Sequence, residues 1–122
     1  MTEFSLIDSS VWIDYLVNGN FKEIIEKEEK LLLATISIIE IKKKLSRLKI
    51  PNKEINDKVD YIKKHSILVD LNEKIAEKAS EIVIEKNLPI ADSIVYASAL
   101  TNDAILITLD NDFRGFHNVK IY

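Results

Sequence analysis

The chain alternates short apolar runs with longer stretches in which apolar residues recur at helical spacing. The runs are three to six residues long, as expected for buried strands, and helical patterns fill most of the sequence between them. Such alternation is typical of a parallel sheet with helices on both faces. It predicts an α/β fold of three α/β/α layers around a central five-stranded parallel sheet, with strands at 4–7, 31–34, 67–69, 104–109 and 119–121.

Six helices are expected around this sheet. The first begins directly after Asp8, and Asn72 is the predicted N-cap of the fifth. The sixth, with Pro89 at its first position, is apolar nearly all round and should therefore be buried. The last five helices are predicted at 21–30, 37–49, 53–64, 73–86 and 89–100.

Length and composition bound the class of protein. A chain of 122 residues with 47% hydrophobic and 30% charged residues predicts one globular domain over 1–122. The absence of cysteine excludes disulfides, thiolate zinc sites and cysteine nucleophiles. The N-terminal sequence has no basic segment typical of a signal peptide, and no apolar run approaches the ~18 residues of a membrane span. We therefore expect a cytoplasmic protein without membrane contacts.

Four acids are expected on one edge of the sheet. Asp8 follows the first strand and Asp110 follows the fourth. Glu40 lies in the first turn predicted for the helix that leaves strand two, and Asp92 lies in the first turn of the helix that leads into strand four. In a parallel sheet these helices begin at the carboxyl ends of the strands, where ligands bind. Chain direction alone therefore brings the four carboxylates together.

Three of these acids also have structural explanations. Asp8 could cap the first helix, and Asp110 could open an Asx turn. Ser37 and Glu40 match a capping box, and Glu40 could pair with Lys44 one helical turn later.

Asp92 is harder to explain by structure alone. It is the only charged residue of an otherwise apolar or small-residue helix. Burying a lone carboxylate is costly unless it is paired or binds a metal. The helix dipole returns only ~0.3–1 kcal/mol to an acid in the first turn. This imbalance favours a functional role for Asp92, and the convergence of four acids extends that interpretation to the other three.

A divalent cation would resolve the repulsion among these carboxylates. Ligation by oxygen alone suits Mg²⁺ or Mn²⁺, either of which can activate water for phosphodiester hydrolysis. His65 and His117 fall in a helix end and a late loop, so both are expected at the surface and zinc is not expected.

Basic residues near Glu40 could bind nucleic acid despite the net charge of −3. The densest run, 42–44 with Arg47 and Lys49, follows Glu40 on the same predicted helix. Lys44 and Arg47 lie four and seven residues after Glu40, on its face of the helix. A solvated helix face is the alternative. The candidate RNA-binding residues are Lys43, Lys44, Arg47 and Arg114.

Four segments resemble the PIN-domain nucleases, and in particular the small VapC-type ribonuclease toxins. LIDSSVWIDYL resembles the opening strand, acid and helix of that family, and ISIIEIKKKL resembles the helix that carries its second acid. IADSIVYASAL and ILITLDNDF resemble the third-acid helix and the strand with the terminal acid. The resemblance covers nearly the whole chain, with the segments in the same order and at similar spacing.

The resemblance implies a metal-dependent endoribonuclease with Asp8, Glu40, Asp92 and Asp110 around Mg²⁺ or Mn²⁺, and it implies an additional acid at Asp112. It also implies a homodimer and an antitoxin that inserts a segment into the acidic groove. Where the family often has Gly shortly after its second acid, this chain has Lys43 or Lys44, which bears on substrate choice and antitoxin contacts. Hydroxyl positions near the site match Ser9 and Thr108.

Two other functions fit parts of the sequence. A phosphoacceptor receiver module could use Asp8, Asp70, Thr108 and Lys120, but it would require a closing helix and would leave Asp92 unexplained. A PIN-like protein could instead process RNA, or bind RNA or partners, without being a toxin, and one sequence does not separate these possibilities. An adjacent antitoxin-like reading frame would favour the toxin.

Overall fold

The computed structural model describes residues 4–26 and 30–122. In this part of the chain the five predicted strands form one sheet in the order β3-β2-β1-β4-β5, and every neighbouring pair is parallel. The predicted five-stranded parallel sheet is confirmed. Its strands are β1 (Phe4–Ile7), β2 (Leu31–Ala34), β3 (Ile67–Val69), β4 (Ala104–Thr108) and β5 (Val119–Ile121).

Most helix boundaries agree with the prediction within two residues. The predicted helix over 21–30 is described only as one turn, and its residues 27–29 lie outside the described part of the chain. Pro89 is the N-cap of the sixth helix rather than its first residue. The helices are α1 (Ser9–Asn18), α2 (Lys22–Ile25), α3 (Thr35–Arg47), α4 (Asn52–Lys64), α5 (Glu73–Lys86) and α6 (Ile90–Thr101), with a 3₁₀ helix at Asn111–Phe113.

The sheet separates two hydrophobic cores, which gives the predicted three layers. Successive strand residues point to opposite faces, so Leu6 packs with α5 and α6 while Ile7 packs with α1, α3 and α4. Residues 93–99 of α6 are all buried, as the apolar composition of this helix predicts. Among the described residues, no helix combines the length and apolar character needed to cross a membrane.

The register of the central strands positions the site. β1 and β4 pair through Ile7 and Ile107 at their carboxyl ends, and the Asp8 N–H continues the ladder by donating to the Ile107 carbonyl at 3.0 Å. The residue after β1 therefore lies beside Thr108, the last residue of β4. Because all five strands run in one direction, the acids that follow them lie on the same edge.

Candidate active site

Asp8 is the N-cap residue of α1, but its side chain is held by hydroxyl groups and not by the N–H groups of the helix. Its residue is 5% exposed, and no backbone N–H of the helix start donates to its side chain. Its Oδ2 atom instead accepts hydrogen bonds from Thr108 Oγ1 at 2.7 Å and Ser10 Oγ at 2.8 Å. The predicted N-cap position is therefore confirmed, but the side-chain cap does not form because two hydroxyls, one of them from the adjacent strand, bind the carboxylate instead.

Ser10 belongs to the site although the sequence analysis did not single it out. Its Oγ accepts a hydrogen bond from the Leu109 N–H at 3.1 Å, and Thr108 Oγ1 accepts one from the Asp110 N–H at 3.0 Å. The two hydroxyls thus connect Asp8 to the segment that follows β4. The available signal was the second serine of the Asp-Ser-Ser sequence, but its partner lies 99 residues away.

Glu40 lies in the second turn of α3 rather than the first. The helix begins at Thr35 because β2 passes into it without a loop, and its N-cap, Ala34, has no side chain that could cap it. Ser37 is consequently a buried residue inside the helix, so the predicted capping box is wrong. Glu40 nevertheless lies near the sheet edge, where its Oε1 accepts a hydrogen bond from Ser9 Oγ at 3.3 Å.

The electrostatic surroundings of Glu40 are acidic. Burial, and secondly the charge of Asp8, raise the pKa of the Glu40 carboxyl, while the Ser9 hydrogen bond and the charge of Lys43 oppose that rise. Within residues 4–26 and 30–122, no ion pair joins Glu40 to Lys44, so the predicted pair with Lys44 does not form. The nearby cation is Lys43, three residues after Glu40 instead of four.

Asp92 carries the most strongly perturbed carboxylate of the site. It lies in the first turn of α6, as predicted, and is partly buried. Burial is the main cause that raises its pKa from 3.8 to about 6, followed by the charges of Asp110, Asp8, Glu40 and Asp112. In the described part of the chain, no side-chain hydrogen bond or ion pair reaches this carboxylate to offset the loss of solvation and the repulsion by its neighbours.

Three acids lie close enough to share one cation. Carboxylate oxygens of Asp92, Asp110 and Asp112 all lie within 4.8 Å of one another. The predicted Asx turn orients two of them, since the Asp112 N–H donates to Asp110 Oδ1 at 2.9 Å. Hard divalent cations prefer oxygen ligands of this kind. The donor set and its uncompensated charge therefore fit a divalent metal ion, with Asp8 and Glu40 nearby on the same edge.

The predicted RNA-binding residues are exposed. Lys43, Lys44 and Arg47 project from α3, the helix that carries Glu40. Arg114 directly follows the 3₁₀ helix that contains Asp112, and its Nη2 donates to Asn111 Oδ1 at 2.7 Å. Among these side chains, Lys43 is close enough to Glu40 for its charge to lower the pKa of that carboxyl.

Other titratable candidates lie away from the carboxylate cluster. His65 and His117 are exposed, as predicted. Asp70 follows β3, which is an edge strand, and β2 separates that strand from β1. The sheet order therefore places Asp70 apart from Asp8 and removes the acid pair on which a receiver module would depend.

Comparisons with solved structures identify the fold. The chain is similar to a toxin–antitoxin complex from Klebsiella pneumoniae, with 18% identity, a TM-score of 0.80 and 95% coverage of each chain. It is also similar to DNA-bound VapBC from Salmonella typhimurium, with 13% identity, a TM-score of 0.81 and coverage of 99% of this chain and 98% of the other.

A third similar structure is a Mycobacterium tuberculosis VapC toxin described as cleaving the sarcin-ricin loop. It has 15% identity and a TM-score of 0.73, with coverage of 95% of this chain and 98% of the other. Comparison with curated protein sequences gives no match. The sequence itself matches the PIN domain family over residues 5–118. Since that match spans nearly the whole chain, the protein belongs to the PIN-domain family.

Proposed function

We propose that this PIN domain is a metal-dependent endoribonuclease that hydrolyses phosphodiester bonds in RNA. The observation that carries the proposal is the carboxylate cluster at the carboxyl edge of the sheet, with three acids within 4.8 Å of one another. Among the described residues, no ion pair joins these three acids to a basic side chain, and such a cluster suits a cation that acts on a phosphate-containing substrate. The solved relative described as cleaving the sarcin-ricin loop supports ribonuclease activity.

Asp92, Asp110 and Asp112 would hold the ion, and Asp8 and Glu40 would be its further carboxylate ligands. We propose Mg²⁺, or alternatively Mn²⁺, because both accept ligation by carboxylates together with water and phosphate. Such an ion would activate water and stabilise the charge that develops on the phosphate.

The protein's own side chains would orient the carboxylates and bind the RNA. The hydroxyls of Ser10 and Thr108 fix Oδ2 of Asp8, and Ser9 orients Glu40. We propose that the exposed bases near this edge bind RNA phosphates and hold the backbone against the carboxylates. The residues proposed for this role are Lys43, Lys44, Arg47 and Arg114.

We further propose that the protein is the toxin of a type II toxin–antitoxin pair and acts in the cytoplasm as a homodimer. Two of the similar structures are a toxin–antitoxin complex and a VapBC complex. In this proposal a segment of the antitoxin enters the acidic groove and prevents RNA from reaching it. A PIN-domain nuclease that processes RNA without an antitoxin is the alternative.

Cleavage assays on purified protein test the nuclease. We expect cutting of tRNA, rRNA or mRNA in Mg²⁺ or Mn²⁺, abolished by a chelator and by Asp92→Asn. A matched control is Asp103→Asn, since Asp103 precedes β4 at the opposite end of the strand and has a positive φ of 51° that Asn also tolerates. Failure of the wild-type protein to cleave all three RNA classes with either metal would contradict the proposal.

Expression in bacteria separates a toxin from a processing nuclease. The toxin proposal predicts growth arrest that requires Asp92 and is relieved by co-expressing the product of an adjacent small reading frame. Growth unaffected by the active nuclease, together with no such reading frame, would favour the alternative.

A further inference from the structure

We propose that Ser10 is a positioning residue that sets the affinity of the metal site by holding Asp8 and the Asp110 segment in register. This inference rests on the proposed function, because it assumes that the carboxylates bind a cation. The Ser10 hydroxyl donates to Oδ2 of Asp8 and is assigned no contact with the ion. Its effect would be transmitted through the position of Asp8 and through the backbone after β4.

The Ser10 hydroxyl acts both as a hydrogen-bond donor and as an acceptor. Its single proton is directed to Asp8 Oδ2 at 2.8 Å, and its oxygen accepts the Leu109 N–H at 3.1 Å. Thr108 makes the corresponding pair of bonds, to Asp8 Oδ2 at 2.7 Å and from the Asp110 N–H at 3.0 Å. The two oxygens lie 3.5 Å apart. Each hydroxyl therefore joins the same carboxylate oxygen to a different backbone amide.

This arrangement leaves the other oxygen of Asp8 available. Both hydroxyls meet Oδ2, and within the described residues no side-chain hydrogen bond reaches Oδ1. One oxygen anchors the carboxylate to the protein, and the other can face a cation. Groups that hold ligands in this way govern how closely the ligand positions match those the metal requires.

Ser10 acts at the point where the sheet can no longer align the two strand ends. The backbone ladder between β1 and β4 ends with the bond from the Asp8 N–H to the Ile107 carbonyl. Beyond it the chains diverge, one into α1 and the other towards Asp110. The bond from Leu109 to Ser10 spans this divergence, so together with the bonds of Thr108 it holds Asp8 against the segment that carries the following acids.

Two other serines provide contrasts. Ser9, the preceding residue, donates to Glu40 and has no bond to Asp8, so consecutive hydroxyls serve different acids. Ser98 is 1% exposed and donates to the Ile94 carbonyl at 2.7 Å within α6. Ser98→Ala therefore removes a buried hydroxyl and one hydrogen bond without touching the carboxylates, which makes it a matched control for Ser10→Ala.

The test measures Mn²⁺ binding by calorimetry and thermal unfolding with and without Mn²⁺. We expect Ser10→Ala to weaken Mn²⁺ binding by roughly tenfold or more, and Ser98→Ala to leave it unchanged. The conservative variant Ser10→Thr, which keeps the hydroxyl, should restore wild-type affinity. RNA cleavage by Ser10→Ala should recover when Mn²⁺ is raised, whereas KM for RNA should stay at the wild-type value.

Wild-type affinity in Ser10→Ala would overturn the inference, as would an equal loss in Ser98→Ala. If Ser10→Ala does not fold, Ser10→Cys replaces it, since a thiol is a weak donor of similar shape. A weaker affinity than wild type then supports the inference and an equal affinity overturns it. Absence of Mn²⁺ binding by the wild-type protein would instead refute the metal site itself, and with it the proposed function.

Discussion

Two carboxylates of the acidic edge have opposite surroundings. Asp8 is 5% exposed, and its Oδ2 accepts two short hydrogen bonds from hydroxyls. Asp92 is partly buried among acids, and its pKa is raised to about 6. The fold stabilises the first charge with its own donors, whereas among the described residues no side-chain donor reaches the second. Hydrogen bonding accounts for Asp8, and the proposed cation would offset the charge of Asp92.

The largest predicted effect is on catalysis, where Asp8 and Asp92 should behave alike. Asp8→Asn and Asp92→Asn should each lower the rate of Mn²⁺-dependent RNA cleavage roughly 100-fold or more, because each removes a negative ligand of the proposed ion. Initial rates measured against Asp103→Asn check this. If either variant cleaves like the wild type, its residue has no part in the site.

Stability should separate the same two substitutions. With metal removed at neutral pH, Asp8→Asn should lower the free energy of unfolding by about 1 kcal/mol, since hydrogen bonds to a charged acceptor are replaced by weaker ones. Asp92→Asn should raise it by about 1 kcal/mol after allowance for solvent screening. Urea unfolding in a chelator measures both. Changes of the same sign would contradict the contrast between Asp8 and Asp92.

The gain in free energy of unfolding that Asp92→Asn produces should also depend on pH. The pKa of Asp92 is about 6 in the folded protein against an ordinary value of 3.8, so the folded state binds the proton more tightly than the unfolded state. Below the unfolded-state pKa of 3.8, Asp92 is protonated in both states and its charge does not destabilise the fold. The destabilisation develops as pH rises from 3.8 to about 6 and is complete above about 6. Unfolding measured across this interval should show the gain shrinking on acidification. A gain independent of pH would mean that the charge of Asp92 is not its source.

The smallest effect is expected from substitutions of the basic residues proposed to bind RNA. Lys43→Gln and Arg47→Gln should each weaken RNA binding a few-fold and lower its salt slope by about 0.7 for each phosphate of a single strand that the removed charge had neutralised. Lys63→Gln on α4 is a control of equal charge on another helix. Titrations at several salt concentrations measure the slope, and an equal effect of the control would assign the weaker binding to net charge alone.

The strands and the convergence of acids could be predicted because they depend on chain direction. Short apolar runs predicted the sheet, and parallel strands have one carboxyl edge, so four acids were expected there from topology alone: Asp8, Glu40, Asp92 and Asp110. The buried α6 followed from its composition. These features can be predicted from the spacing of apolar residues along the chain and from the rules that govern connections between parallel strands.

The details that failed depend on distant partners or on exact helix starts. The Ser37–Glu40 pattern predicted a capping box, but β2 continues into α3 at Thr35, and that continuity overrides the local signal. The hydroxyls on Asp8 come partly from Thr108, 100 residues away. No local pattern could show that the Leu109 N–H, just after β4, would donate a hydrogen bond to Ser10.

Calorimetric titration of Mn²⁺ into the wild-type protein and Asp92→Asn is the most direct test of the central claim. If the uncompensated charge of Asp92 belongs to a cation site, the wild type should bind Mn²⁺ and Asp92→Asn should bind it roughly tenfold more weakly or not at all, while Asp103→Asn binds as the wild type does. Equal binding by the wild type and Asp92→Asn, or no binding by the wild type, would contradict the account.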